Sequence, residues 1–301
     1  MVLSAERRMD KINDLRATLC KPGRSTGAAL AQLTRRSLLG LACIALLFSI
    51  SDARAWKNGP PNNKVTNRPA DCVAPPYSTH DWVADHARAL LPEKERAWLD
   101  PHRKFYLIGT EAPDYDKIEE SCSTPNRGYN DTGKGRHDLR FDSDGDVTRD
   151  TPARRAQEEY DKAIEAYRAG DHQAAAYYLG AAAHYPGDLG QYGHTIKGEK
   201  HHADFEEWAH GLTDAFERGH FESAIVSDGL ERRRAYDAVI WIGRQTHEGG
   251  GKVLPASLMD DLWDEKDQVY KDSVAASLNN AVNGIADMLH TFYLDVAGEK
   301  P

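Results

Sequence analysis

The chain has 301 residues with 38 basic and 47 acidic side chains and a formal net charge of −9. It is long enough for one sizeable core and too acidic to grip nucleic acid through a basic patch. The same balance argues against holding an anionic membrane by charge alone.

Residues 1–55 read as a leader rather than as part of a fold. Thr34-Arg35-Arg36-Ser37-Leu38-Leu39 fits a twin-arginine pattern, an apolar stretch runs from Leu38 to Ile50, and Ala53-Arg54-Ala55 supplies small residues for cleavage. That stretch is too short to span a bilayer as a permanent helix, and the basic flank fits secretion. A secreted or periplasmic product beginning at Trp56 is therefore expected, exported already folded by the twin-arginine route. The leader carries nine basic and four acidic side chains, leaving 29 against 43 in the remainder. Cys72 and Cys122 survive cleavage and could form one disulfide in an oxidising compartment; the sequence leaves their pairing open.

From Trp56 to Pro76, five prolines and several asparagines predict loop. Thr79 to Leu91 predicts a helix with Thr79 as its N-cap. Arg103 to Gly109 is a short apolar run, and Asp114 to Asp150, rich in Asp, Gly, Asn and Thr, predicts mostly loop. Helical patterns then follow over Pro152–Ala169, Asp171–Tyr185, Ala203–Arg218, Glu231–Thr246, Ser257–Asp272 and Ser273–Val296. Period-2 alternation is nearly absent, so the expected fold is all-α, with residues 56–301 forming a single compact multi-helix domain. Tyr160–Tyr185 resembles one helical-hairpin repeat unit, but a solenoid needs several and only one is present. Asp142-Ser143-Asp144-Gly145-Asp146 has Ala153 where a calcium loop needs glutamate, and reads as a solvated acidic turn. Gly249-Gly250-Gly251 lacks the lysine of a phosphate cradle and reads as a turn.

All 13 histidines lie beyond the leader, and several stand at ligand spacing. His184 and Asp188 are separated by four residues, as are His202 and Glu206, so each pair shares a helix face and can reach one ion. His194 lies between the pairs. Zinc accepts imidazole nitrogen and carboxylate oxygen in such sets. Helix propensity alone does not explain the first pair, because Pro186-Gly187 inside it disfavours helix.

The run His184-x-x-x-Asp188, His194, His202-x-x-x-Glu206 resembles the core signature of the bacterial zinc-dependent phospholipases C, whose plan the single-strand nucleases of the S1/P1 type largely share. The resemblance covers residues 56–301 in length and ligand order and is sharpest from His184 to Glu206. It implies a helical fold, up to three zinc ions, and a terminal tryptophan that acts as a ligand, which here is Trp56. One implied site is Asp114, His137, His184 and Asp188. A second is Trp56, His80 and the bridging Asp188, with His86 as the alternative to His80. A third is His194, His202 and Glu206. The resemblance also makes Asp114 the candidate general base and places Tyr115 and Lys134 at the substrate. Lys134 and Gly59 stand where the choline-binding relatives carry an aromatic and an acidic residue. Glu206, and the spacing of Trp56 and His80, which stand 24 residues apart, resemble the lipases more than the nucleases. The expected activity is release of a phosphorylated head group from phospholipid by metal-activated water. The expected product is a monomer with transient membrane-surface contact and no stable nucleic-acid partner. The alternatives are a single-strand nuclease or nucleotidase, and a non-catalytic zinc-binding helical protein.

Overall fold

The computed structural model describes residues 77–114, 129–216 and 220–298. The twin-arginine leader and its cleavage site, Trp56, Gly59, Cys72, Tyr115 and Cys122 lie outside the described residues.

Helix α1, Thr79–Leu90, starts one residue earlier than the sequence suggests. Ser78, not Thr79, is its cap: the Ser78 hydroxyl accepts from the Asp81 N–H, and the Asp81 carboxylate accepts from the Ser78 N–H. This reciprocal pair satisfies two donors that a helix start leaves open. A short helix, α2 (Glu93–Arg96), follows. The apolar run near residue 105 is helical and becomes α3, Arg103–Glu111. Of the expected loop before Asp150, the described part holds a small hairpin, β1 (Arg140–Phe141) against β2 (Val147–Arg149). The acidic run is its turn, with Asp142 accepting from the N–H groups of Asp144 and Asp146, each at 2.9 Å.

Helices α4 (Thr151–Arg168) and α5 (His172–Asp188) form the centre of the molecule. Almost every residue of α5 from Ala174 onward is buried, as a helix apolar on all sides must be. It continues through Pro186-Gly187 to Asp188, three residues beyond the expectation. Two glycines let α3 lie directly on α5. A Cβ on Gly180 would stand 1.9 Å from the Tyr106 carbonyl oxygen, and one on Gly109 would stand 2.1 Å from that of Tyr177.

Helix α6, His202–Thr213, ends before the expected Arg218. Helix α7 is Ala235–Glu248, α8 Ala256–Asp261 and α9 Gln268–Ala297. The expected single helix over Ser257–Asp272 is thus broken after Asp261, and Asp267 opens α9 by accepting from the N–H groups of Val269 and Tyr270. The expected start of α7 at Glu231 fails because residues 226–233 are drawn out along α9. The N–H groups of Val226, Asp228, Glu231 and Arg233 donate to Asn279, Asn283, Asp287 and Thr291 at 2.8, 3.2, 2.7 and 2.9 Å. Those acceptors recur every four residues, so they form one line down the helix. The Gly249–Gly251 run is a turn, closed by the Gly250–Val253 bridge. No described helix is long and apolar enough to cross a membrane.

Candidate metal centre

Asp188, fully buried at the end of α5, is the hub of the site. His184 stands one turn earlier on the same face, with Nε2 3.2 Å from Asp188 Oδ2. His80 arrives from the first turn of α1, its Nε2 3.2 Å from Asp188 Oδ1. Gly187 makes room for that ring, since a Cβ there would lie 3.1 Å from His80 Nδ1. His137 follows the turn Thr132–Lys134, and its Nδ1 is 2.6 Å from Asp188 Oδ2 and 3.1 Å from His184 Nε2. Asp114, just beyond α3, completes the group at 3.7 Å from His184 and 3.5 Å from His137. Five of the residues singled out for the first two sites therefore converge, and His80 rather than His86 takes the histidine position. His86 instead hydrogen-bonds the Trp82 carbonyl at 2.8 Å and stacks on Phe216.

A second group lies beside the first. His202 Nε2 is 2.8 Å and His194 Nε2 4.0 Å from Glu206 Oε1. The His194 and His137 rings are 6.3 Å apart, so the groups are neighbours. Geometry groups the ligand atoms as His80, Asp114 and His184; His137, His184 and Asp188; and His194, His202 and Glu206.

The residues fit divalent ions. Buried polar atoms are normally hydrogen-bonded, yet both ring nitrogens of His80, both of His194 and Asp188 Oδ1 have no hydrogen-bond partner among the described residues. The short His80–Asp188 contact thus lacks hydrogen-bond alignment, as expected of two ligands aimed at a common point. The electrostatics agree. Burial pushes Asp188 up, but the imidazoles of His184, His137 and His194 outweigh it and hold the carboxyl well below its usual range. Burial lowers the His80 imidazole to about 4 and raises the Glu206 carboxyl to about 8. Burial also opposes charge on His184, but Asp188 and Asp114 prevail and raise it to about 9. The site thus keeps protons on some groups and refuses them on others where a set of cations would satisfy all of them.

Residues not singled out in the sequence surround the candidate ligands, some hydrogen-bonded to them and Asp138 only facing one. The His184 Nδ1–H donates to the Thr110 carbonyl at 2.6 Å, which leaves Nε2 to face Asp188. Glu199 sits 3.0 Å from His202 Nδ1, and Asp138 is 3.5 Å from His194 Nδ1. The Thr132 hydroxyl donates to Asp114 and lies 3.4 Å from His137 Nε2. Sequence carried faint signals for two of them: Glu199 stands three residues before His202, and Asp138 directly follows His137. Lys134 lies on the Thr132 turn, where its ammonium donates to the Tyr129 carbonyl and faces Asp131 at 3.6 Å.

The zinc dependent phospholipase C family matches residues 79–249, a span that holds every described ligand. The chain belongs to that family. Two solved structures share its fold. Alpha-toxin of Clostridium perfringens, from an avian strain, is 18% identical with a TM-score of 0.50, over 74% of this chain and 64% of the toxin. Alpha toxin of Clostridium absonum is 17% identical with a TM-score of 0.50, over 73% of this chain and 64% of the toxin. This zinc-dependent phospholipase C family member therefore spans about two-thirds of those toxins' length. No curated protein matches the chain significantly. Family and ligand chemistry together support zinc as the metal.

Proposed function

We propose that this chain is a zinc-dependent phospholipase C that hydrolyses phospholipid at the glycerol–phosphate bond, releasing diacylglycerol and the phosphorylated head group. The observation that carries the reading is Asp188, whose two oxygens lie within 3.2 Å of the imidazoles of His80, His137 and His184, beside the His194, His202 and Glu206 group. His80, Asp114, His137, His184 and Asp188 would hold up to two ions with Trp56, and His194, His202 and Glu206 a third. Bound zinc supplies Lewis acidity, lowering the pKa of water towards about 7 and offsetting phosphoryl charge. The protein's own part is positional. Asp114, with one oxygen tied by the Thr132 hydroxyl, takes the proton of the attacking water as its oxygen bonds to phosphorus. The glycerol oxygen leaves in line and takes a proton from solvent water to become the alcohol, while the proton on Asp114 returns to solvent. Burial of His80, His137, His184 and His194 keeps bulk water from competing for these groups.

The sequence supports export by the twin-arginine route with Trp56 as first residue, and a monomer that touches lipid surfaces transiently. Mass spectrometry of the secreted species tests the terminus and the metal content together. For activity, the expected result is chelator-sensitive hydrolysis of phospholipid in detergent micelles, restored by zinc and abolished in Asp114→Asn. Chelation should also lower the melting temperature, because zinc present at a thousand times its Kd adds about 4 kcal/mol. Cleavage of single-stranded DNA with no lipid hydrolysis, or bound zinc with no turnover on either, refutes the reading.

A further inference from the structure

The turn that carries the ligand His137 also carries a positive surface. Residues 129–137 are strapped to the segment before Asp114: the N–H groups of Tyr129 and Asp131 donate to the carbonyls of Ala112 and Pro113 at 3.0 and 2.8 Å. Between the Thr132 contact to Asp114 and the buried His137 ring stand Lys134 and Arg136, with side chains 49% and 39% exposed. Their cationic heads converge on one carboxylate oxygen, Asp131 Oδ1, at 3.6 and 3.2 Å.

That carboxylate is already occupied. Asp131 is fully buried and accepts from Arg155 Nε at 2.9 Å and from the Tyr185 hydroxyl at 2.6 Å. Burial pushes its carboxyl up, yet the Tyr185 hydroxyl and the Arg155 and Arg136 guanidinium groups bring it below the usual range, so it is ionised. Arg155 also meets Glu158 and Glu159, and Lys162 meets Glu159. Among the described residues, four cations thus share three carboxylates; Lys134, Arg136 and Lys162 are partly exposed, and the first two stand on the metal-bearing turn. The remaining acid on this stretch, Asp138, is engaged by Arg140 at 3.0 Å and lies 3.8 Å from Arg149. Among the described residues, a surplus positive charge in an otherwise acidic chain therefore lies next to Asp114 and His137.

We propose that Lys134 and Arg136 form a head-group subsite that selects phospholipids whose head groups carry no positive charge, glycerol or another polyol above all. The inference rests on the phospholipase reading and names its substrate class. Head-group hydroxyls accept hydrogen bonds from ammonium and guanidinium donors, whereas a choline or ethanolamine cation meets like charge. At partly exposed sites such repulsion amounts to about tenfold in relative rate and weakens with salt.

The test compares initial rates on phosphatidylglycerol and phosphatidylcholine, each dilute in neutral detergent micelles so that surface charge does not recruit the enzyme. Binding of glycerol phosphate and phosphocholine to the zinc-loaded protein is measured in parallel by calorimetry. The expected result is about a tenfold preference for the glycerol head group in both measurements, reduced by half-molar salt. Lys134→Gln with Arg136→Gln should erase the preference while zinc content stays at the wild-type value. Because the double variant also removes cations from buried Asp131, Lys134→Gln alone is run beside it and should reduce the preference partway. Faster hydrolysis of the choline lipid by wild type, or a preference that neither variant moves, overturns the subsite and leaves the phospholipase reading standing. No hydrolysis of any lipid overturns both.

Discussion

The contact between α3 and α5 sets the distance between Asp114 and His184, and it depends on Gly180. In Gly180→Ala the new Cβ would stand 1.9 Å from the Tyr106 carbonyl oxygen, where real Cβ contacts stay above 3.0 Å, so the helices must part by about 1 Å. Overpacking of a tight interior costs about 1–3 kcal/mol, and a clash with backbone rather than a mobile side chain belongs at the upper end. Alanine returns about 1 kcal/mol of helix propensity. The net loss is about 2 kcal/mol, or a fall of about 4–8 °C in Tm for a domain of this size. The same movement pulls Thr110, at the end of α3, away from His184 Nδ1, so zinc affinity should fall with stability. Gly211→Ala supplies the opposite sign, since Gly211 lies in helix α6 with nothing within 4 Å of the new Cβ. There only the propensity gain operates, and Tm should rise by about 2–4 °C. Thermal melts of the two variants, with zinc affinity from chelator competition, decide the matter. A Gly180→Ala protein that melts at or above wild type refutes the reasoning.

Two other outcomes follow from single carboxylates, one beside the candidate metal centre and one on α1. Glu199→Gln removes the carboxylate that orients His202 through Nδ1, so affinity for one ion should fall about 10–100-fold while the others bind as before; stepwise titration with a chromogenic chelator reads this directly. Asp85, which receives Arg103 at 2.9 Å and Arg88 at 2.9 Å, shows a pH dependence of known sign. Burial raises its carboxyl, but the two guanidinium groups prevail and hold it below its ordinary value. Its stabilisation is therefore full above the unfolded value of about 3.9 and is lost as pH falls through the lower folded value. Asp85→Asn should cost about 2 kcal/mol at neutral pH and flatten the acid limb of the stability curve; an acid limb of unchanged slope contradicts the assignment.

The parts of this site readable in the sequence were those in which spacing determines direction. His184 with Asp188, and His202 with Glu206, face the same way because four residues close one helical turn. The predicted break at Pro186-Gly187 did not occur, because the packed end of α5 outweighs local propensity and Gly187 is needed to admit His80. His137 and Asp114 required the family resemblance, since nothing local reveals that a loop residue and the end of α3 will meet 3.5 Å apart. The late start of α7 was hidden for another reason. Its upstream segment has helical composition, but Asn279, Asn283, Asp287 and Thr291 take its N–H groups in a chain-distant pairing. Thr132 carries no pattern of its own, and for Asp138 and Glu199 mere nearness in sequence to a histidine does not show which residue it supports.

His137 and Asp138 are consecutive, yet their side chains turn to different candidate metal groups: one ring meets Asp188 and His184, while the next carboxylate faces His194. One peptide bond therefore joins the two candidate metal groups. With ions bound in both, a displacement at one would reach the other through that bond. By thermodynamic reciprocity, whatever the first ion contributes to capture of the second, the second contributes to retention of the first.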